Sequence, residues 1–171
     1  MVPTDETVFD TFALKRGEKA TVHFTGTATP SGRRPVLSFK ARMDFETVAG
    51  YTQALRVSVN DVTLTGERLV HKPLTATARS GQECSLAAGE TFAIFYSPDF
   101  ASPDAHPHYG LRDGWQACVF HFNLDGVFRE GENTLVLENA AAETVDAPLV
   151  VADGRIGFHT PPPPPKPKAG P

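Results

Sequence analysis

The chain has 171 residues, a formal net charge of −4, 40% hydrophobic residues and 21% charged residues. That length suits one domain with a core of its own. The acidic balance and the absence of a Lys/Arg cluster argue against nucleic acid as a partner. No apolar run reaches the ~20 residues of a membrane span. The opening Met-Val-Pro-Thr-Asp-Glu-Thr has neither the basic nor the apolar region of a signal peptide.

Residues 7–14 and 19–25 read as short strands, with Lys15-Arg16-Gly17-Glu18 as a hairpin loop between them. Residues 26–35 are Thr-, Gly- and Pro-rich and read as loop. Over 36–46, Val36, Ser38, Lys40 and Arg42 alternate with Leu37, Phe39, Ala41, Met43 and Phe45. A period of two marks a long strand with one polar face. Residues 54–59 are another strand. Asn60-Asp61 then turns the chain into Val62-Thr63-Leu64, since both residues reach the left-handed region. Ala88-Gly89-Glu90 is a turn into the aromatic run 91–96.

Residues 97–116 hold three prolines and two glycines, which exclude a regular element. A loop of this length in a compact domain is commonly functional or disordered, and its aromatics argue against disorder. Beyond it, Val119, His121, Asn123 and Asp125 alternate with Phe120, Phe122 and Leu124, and Leu135 and Leu137 alternate with Val136 and Glu138. Two such runs with glycines between them predict neighbouring antiparallel strands at the centre of the core, turned at Gly131-Glu132-Asn133. Residues 140–146 are a loop or helical turn, and 147–151 and 154–159 give the final strands. The segment 161–171 has seven prolines in eleven residues, a polyproline II spacer outside the fold.

No segment keeps a 3.6-residue apolar period. The fold class is therefore all-β: a two-sheet antiparallel β-sandwich of about nine strands, jelly-roll-like, over 1–160, with 161–171 as tail or linker. Cys84 and Cys118 read as two buried thiols, with a disulfide as the alternative.

Two stretches carry a family resemblance. Leu55-Arg56-Val57-Ser58-Val59-Asn60-Asp61-Val62-Thr63-Leu64 resembles a strand–Asn-Gly–strand hairpin, with Asp61 where glycine is usual. Residues 122–137, with Leu-Asp-Gly and then Gly-Glu-Asn-Thr-Leu-Val-Leu, resemble a strand, a short turn and "Leu-x-x-Gly-x-Asn-x-Leu". In that order they are similar to the jelly-roll sugar-binding domains of the β-galactosidase and β-glucuronidase type, and to the wider galactose-binding-like fold. The insertion between them is longer here. The resemblance implies a binding or accessory role in a carbohydrate-active protein, not catalysis.

The candidate ligand-binding residues lie in and beside that insertion: Tyr96, Asp99, Phe100, His108, Tyr109, Arg112, Asp113 and Trp115. Residues 92–122 hold eight of the sixteen aromatics. Aromatic rings cover the flat C–H faces of sugars, and Asp, His and Arg bond the hydroxyls. The bland alternative is a loop sealing the end of the sandwich, and Phe92, Phe95, Phe120 and Phe122 read as core in either case. His106-Pro107-His108 with Asp104 and Asp113 could hold a metal, but no third ligand is set by spacing. No cofactor is expected. The resemblance implies an optional structural calcium, for which Asp5, Glu6, Asp146 and Asp153 offer oxygens that read equally as solvated carboxylates. Asn133 and Asn139 read as turn and strand-end residues.

No Gly-x-Ser-x-Gly and no Gly-rich phosphate loop is present, and Asp99 with Asp113 is an unselective acid–base pair. The expected function is thus a non-catalytic carbohydrate-binding module of a larger, extracellular or cell-surface protein, whose partners are carbohydrate and neighbouring domains. The alternatives are an interaction or structural module and a small glycan-cleaving enzyme.

Overall fold

The structure, a computed structural model, describes residues 5–45, 51–70, 75–77, 83–85, 87–96, 100 and 118–161. Among the described residues there are thirteen strands: β1 (Glu6–Phe9), β2 (Phe12–Leu14), β3 (Lys19–Gly26), β4 (Arg34–Met43), β5 (Tyr51–Val59), β6 (Val62–Thr63), β7 (Thr75–Thr77), β8 (Glu83–Ser85), β9 (Ala87–Ala88), β10 (Thr91–Phe95), β11 (Val119–Asn123), β12 (Gly131–Asn139) and β13 (Leu149–His159). A 3₁₀ turn spans Gly66–Arg68. None of the described helices is long and apolar enough to cross a membrane.

The strands form an antiparallel sandwich. One sheet has the order β1-β13-β4-β11, with β2 also on β13; the other has the order β3-β12-β5-β10-β9, with β6 on β5. β7 and β8 pair as a separate ribbon. If β1 and β2 are counted as one strand and the short β6 to β9 are set aside, eight principal strands remain. In chain order they lie first-eighth-third-sixth in one sheet and second-seventh-fourth-fifth in the other, the winding of a jelly roll.

Alternation builds the core. Leu37, Phe39, Ala41 and Met43 of β4 point inward with Phe120 and Phe122 of β11, and Leu135 and Leu137 of β12 with Val57 and Val59 of β5 face them from the other sheet. Phe39 stacks on Phe120 and Phe122 at 5.6 and 6.0 Å between centroids. Phe92 meets the same two rings edge-on at 5.6 and 5.2 Å. One aromatic from the second sheet thereby holds two from the first, which stack in turn on Phe39, adding about 1 kcal/mol per pair to the burial of each ring. On the outer face, Ser38 Oγ and His121 Nδ1 pair across β4 and β11 at 2.8 Å.

The topology corrects the expected neighbours. β11 and β12 are not paired: β11 lies on β4 in one sheet, and β12 lies between β3 and β5 in the other. The chain turns at 125–127, where the Val127 and Phe128 N–H groups both donate to Leu124 O, at 3.1 and 3.0 Å. It does not turn at Gly131-Glu132-Asn133, which opens β12. Lys15–Glu18 likewise joins no hairpin, since β2 lies on β13 and β3 on β12. In each case two amphipathic strands meet face to face rather than edge to edge. Local alternation is satisfied equally by either arrangement, and only the packing of the whole roll selects one.

Other expectations shift less. The run 7–14 is two strands, and the runs 147–151 and 154–159 join in one strand, β13, which begins at Leu149 and carries a bulge at 152–155, where Asp153 takes φ 55°. β4 stops at Met43, so Phe45 leaves the alternation and is 39% exposed. Phe95 is buried but belongs to the outer face, opposite Tyr51. The Asn60-Asp61 turn is as expected, with φ 50° and 66°.

Candidate functional site

Four connections leave the same end of the sandwich. β4 ends at Met43 opposite Leu149, which begins β13. β10 ends at Phe95 opposite Tyr51, which begins β5, and Tyr96 then bridges Met43. The β2–β3 loop and the β12–β13 loop join them through Asn139. This is the end from which the long insertion departs.

Its aromatic rings come in pairs. Phe45 packs on Tyr96 at 5.3 Å between centroids. Tyr51, 52% exposed, packs on Phe95 at 5.5 Å. The Arg42 guanidinium lies 5.4 Å over the ring of Phe100, within cation–π range, and also bonds Asp44 at 3.2 Å. Arg42, Phe45 and Tyr51 are not among the residues that the sequence marks as candidates. Phe45 and Arg42 read as two faces of one strand, and nothing local shows that the strand ends between them.

Of the expected site residues, Tyr96 and Phe100 are placed here. Asp99, His108, Tyr109, Arg112, Asp113 and Trp115 lie outside the described residues, as do His106 and Asp104 of the possible metal cluster. Among the described residues, no three His, Cys, Asp or Glu side chains converge as metal ligands. Of the four calcium-donor candidates, Asp153 instead pairs with Lys40 at 3.4 Å.

At the same end is a depression of about 360 Å³, lined by Lys15, Arg16, Asp146, Ala147 and Pro148. Asn139 builds it. Fully buried at the end of β12, its Nδ2 donates to Leu14 O at 3.0 Å and to Ala147 O at 3.2 Å, so one amide ties both walls. Its backbone receives Gly17 N–H at 2.8 Å and donates to Glu18 O at 3.0 Å. The Lys15 N–H donates to Glu18 Oε1 at 3.2 Å, closing the turn. Lys15, Arg16 and Asp146 had no place among the sugar-binding candidates, because a hairpin loop and a solvated aspartate are the plainer readings of those residues.

Scanned against protein families and against curated proteins, the chain finds no match.

Proposed function

We propose that this chain is a non-catalytic carbohydrate-binding module, of the galactose-binding-like kind that residues 55–64 and 122–137 resemble. The observation that carries the reading is the end of the sandwich just described. The exposed rings of Phe45 and Tyr51, with the half-buried Tyr96 packed on Phe45, share that end with a depression that carries Lys15, Arg16 and Asp146 beside Ala147 and Pro148. Sugar recognition needs that pairing: apolar faces for C–H surfaces and polar groups for hydroxyls. A rigid jelly roll carries the loops, and binding residues concentrate on such loops. The proline-rich segment 161–171 suits a stiff spacer, so the module belongs with other domains of a secreted or surface protein.

A glycan array on the wild type, repeated with Tyr96→Ala and Tyr51→Ala after thermal melts confirm folding, tests the reading. Binding by the wild type that is lost in a folded variant supports it and locates the site. A wild type that binds no glycan removes it. The exposed Phe45 and Tyr51 would then mark a contact with a neighbouring domain.

A further inference from the structure

We propose that the depression between the β2–β3 and β12–β13 loops is a subsite for an acidic sugar, with Lys15 and Arg16 holding its carboxylate or sulfate and Asp146 accepting its hydroxyls. This rests on the carbohydrate reading above and adds the ligand's charge to it.

The site is built before any ligand arrives. Lys15 and Arg16 are presented on a turn closed by Glu18 N–H to Lys15 O at 2.9 Å, and that turn is bound to Asn139. The opposite wall, 146–148, is held by the same Asn139 and by Asp44 N–H donating to Pro148 O at 2.8 Å. The backbone of both walls is therefore fixed through Asn139, and binding has only the exposed side chains of Lys15, Arg16 and Asp146 left to order. The depression, at about 360 Å³, falls at the small end of the roughly 300–1,000 Å³ usual for small-molecule sites.

The charges then select the ligand. Among the described residues, neither Lys15 nor Arg16 enters an ion pair. The neighbouring carboxylate of Glu18 already accepts the Lys15 backbone N–H. Two cations beside each other suit a carboxylate or sulfate, which a guanidinium grips through two parallel hydrogen bonds. Asp146 can only accept when ionised. A bare inorganic anion has nothing to donate to it and is repelled by it. A sugar carrying both an anion and hydroxyls satisfies all three groups. Uronate and sulfated sugars share this chemistry.

Titration calorimetry with the full chain tests it. The probes are a hexuronate oligosaccharide, a sulfated oligosaccharide and a neutral one of equal length, with inorganic sulfate as control. The acidic sugars are expected to bind about tenfold tighter than the neutral one, since hydrogen bonds to charged groups are the strong ones. The preference is expected to shrink with added salt. The double variant Lys15→Gln/Arg16→Gln removes the preference, while Lys15→Arg keeps it. Whichever acidic probe binds better identifies the anion. Equal binding of acidic and neutral sugars, or a preference that survives the double variant, overturns the subsite and leaves the carbohydrate reading standing. Sulfate binding as tightly as the acidic sugars overturns the role of Asp146. Binding of no sugar overturns both.

Discussion

Asn60 donates from Nδ2 to Oδ1 of Asn133 at 2.9 Å, although 73 residues separate them. The contact is one bond of a closed set. Asn60 Nδ2 also donates to Val127 O at 2.7 Å, and its Oδ1 accepts from Thr134 N–H at 2.9 Å. Asn133 Oδ1 accepts from Arg129 N–H at 2.8 Å, and its Nδ2 donates to Arg129 O and Gly131 O at 2.8 and 3.1 Å. Two side-chain amides thus stand in for the backbone pairing that the β11–β12 crossing lacks. At the other end of β12, Asn139 does the same for the loops around the depression. The inner face of this strand runs Asn133, Leu135, Leu137, Asn139, all fully buried: two apolar residues in the core and one amide at each rim.

Asn133→Ala is expected to cost about 3 kcal/mol, because it leaves part-buried donors and acceptors unmet on Arg129, Gly131 and Asn60. For a chain of this size that lowers the melting temperature by roughly 6–12 °C. In a double-mutant cycle with Asn60→Ala, denaturant unfolding should return a coupling energy above about 1 kcal/mol. Additive single effects would show that the two amides act independently.

Gly26→Ala should be poorly tolerated. A methyl at Gly26 would collide with Arg129 O and stand 2.6 Å from Phe128 Cζ and 2.8 Å from Asn133 Nδ2. The backbone carbonyl cannot swing aside without breaking its bond to Asn133. A loss of about 1–3 kcal/mol in urea unfolding is expected, the usual range for overpacking. Wild-type stability in this variant would mean that the crossing is looser than described.

Asp61→Gly should stabilise the protein. Asp61 holds φ 66°, a conformation that costs an L residue about 1 kcal/mol and costs glycine little. Part of the gain is offset by the extra freedom glycine has in the unfolded chain. The net expectation is an increase of up to about 1 kcal/mol in unfolding free energy, with an unchanged m-value.

Cys118 is 1% exposed, and burial pushes its thiol from the ordinary 9.0 up to about 12, against the partial opposition of Arg42 and Lys40. A thiolate is the reactive form, so the native thiol should resist alkylation at mildly alkaline pH and react once unfolded. Peptide mapping after labelling reads this directly. The raised value also bears on stability. Between pH 9 and 12 the unfolded chain releases this proton and the folded chain keeps it. The unfolded state then binds fewer protons, so unfolding free energy falls as pH rises through that window. Cys118→Ala should flatten that part of the pH profile.

Much of this architecture was legible in the sequence. Strict alternation over 36–43, 119–123 and 134–138 placed β4, β11 and most of β12, because one buried face imposes a period of two. Asn60-Asp61 announced its turn, since few residues reach positive φ. Alternation and turns together are enough to specify an antiparallel sandwich. They do not specify partners. Whether β11 pairs with β12 or crosses to the facing sheet leaves Phe120, Phe122, Leu135 and Leu137 equally buried. Only the stacking of Phe39 with two rings of β11, and the amides of Asn60 and Asn133 closing the crossing, decide it. The candidate site divides the same way. Tyr96 stood out as an aromatic beside a long insertion. Lys15, Arg16 and Asp146 became a single depression only when Asn139 drew together two loops more than a hundred residues apart.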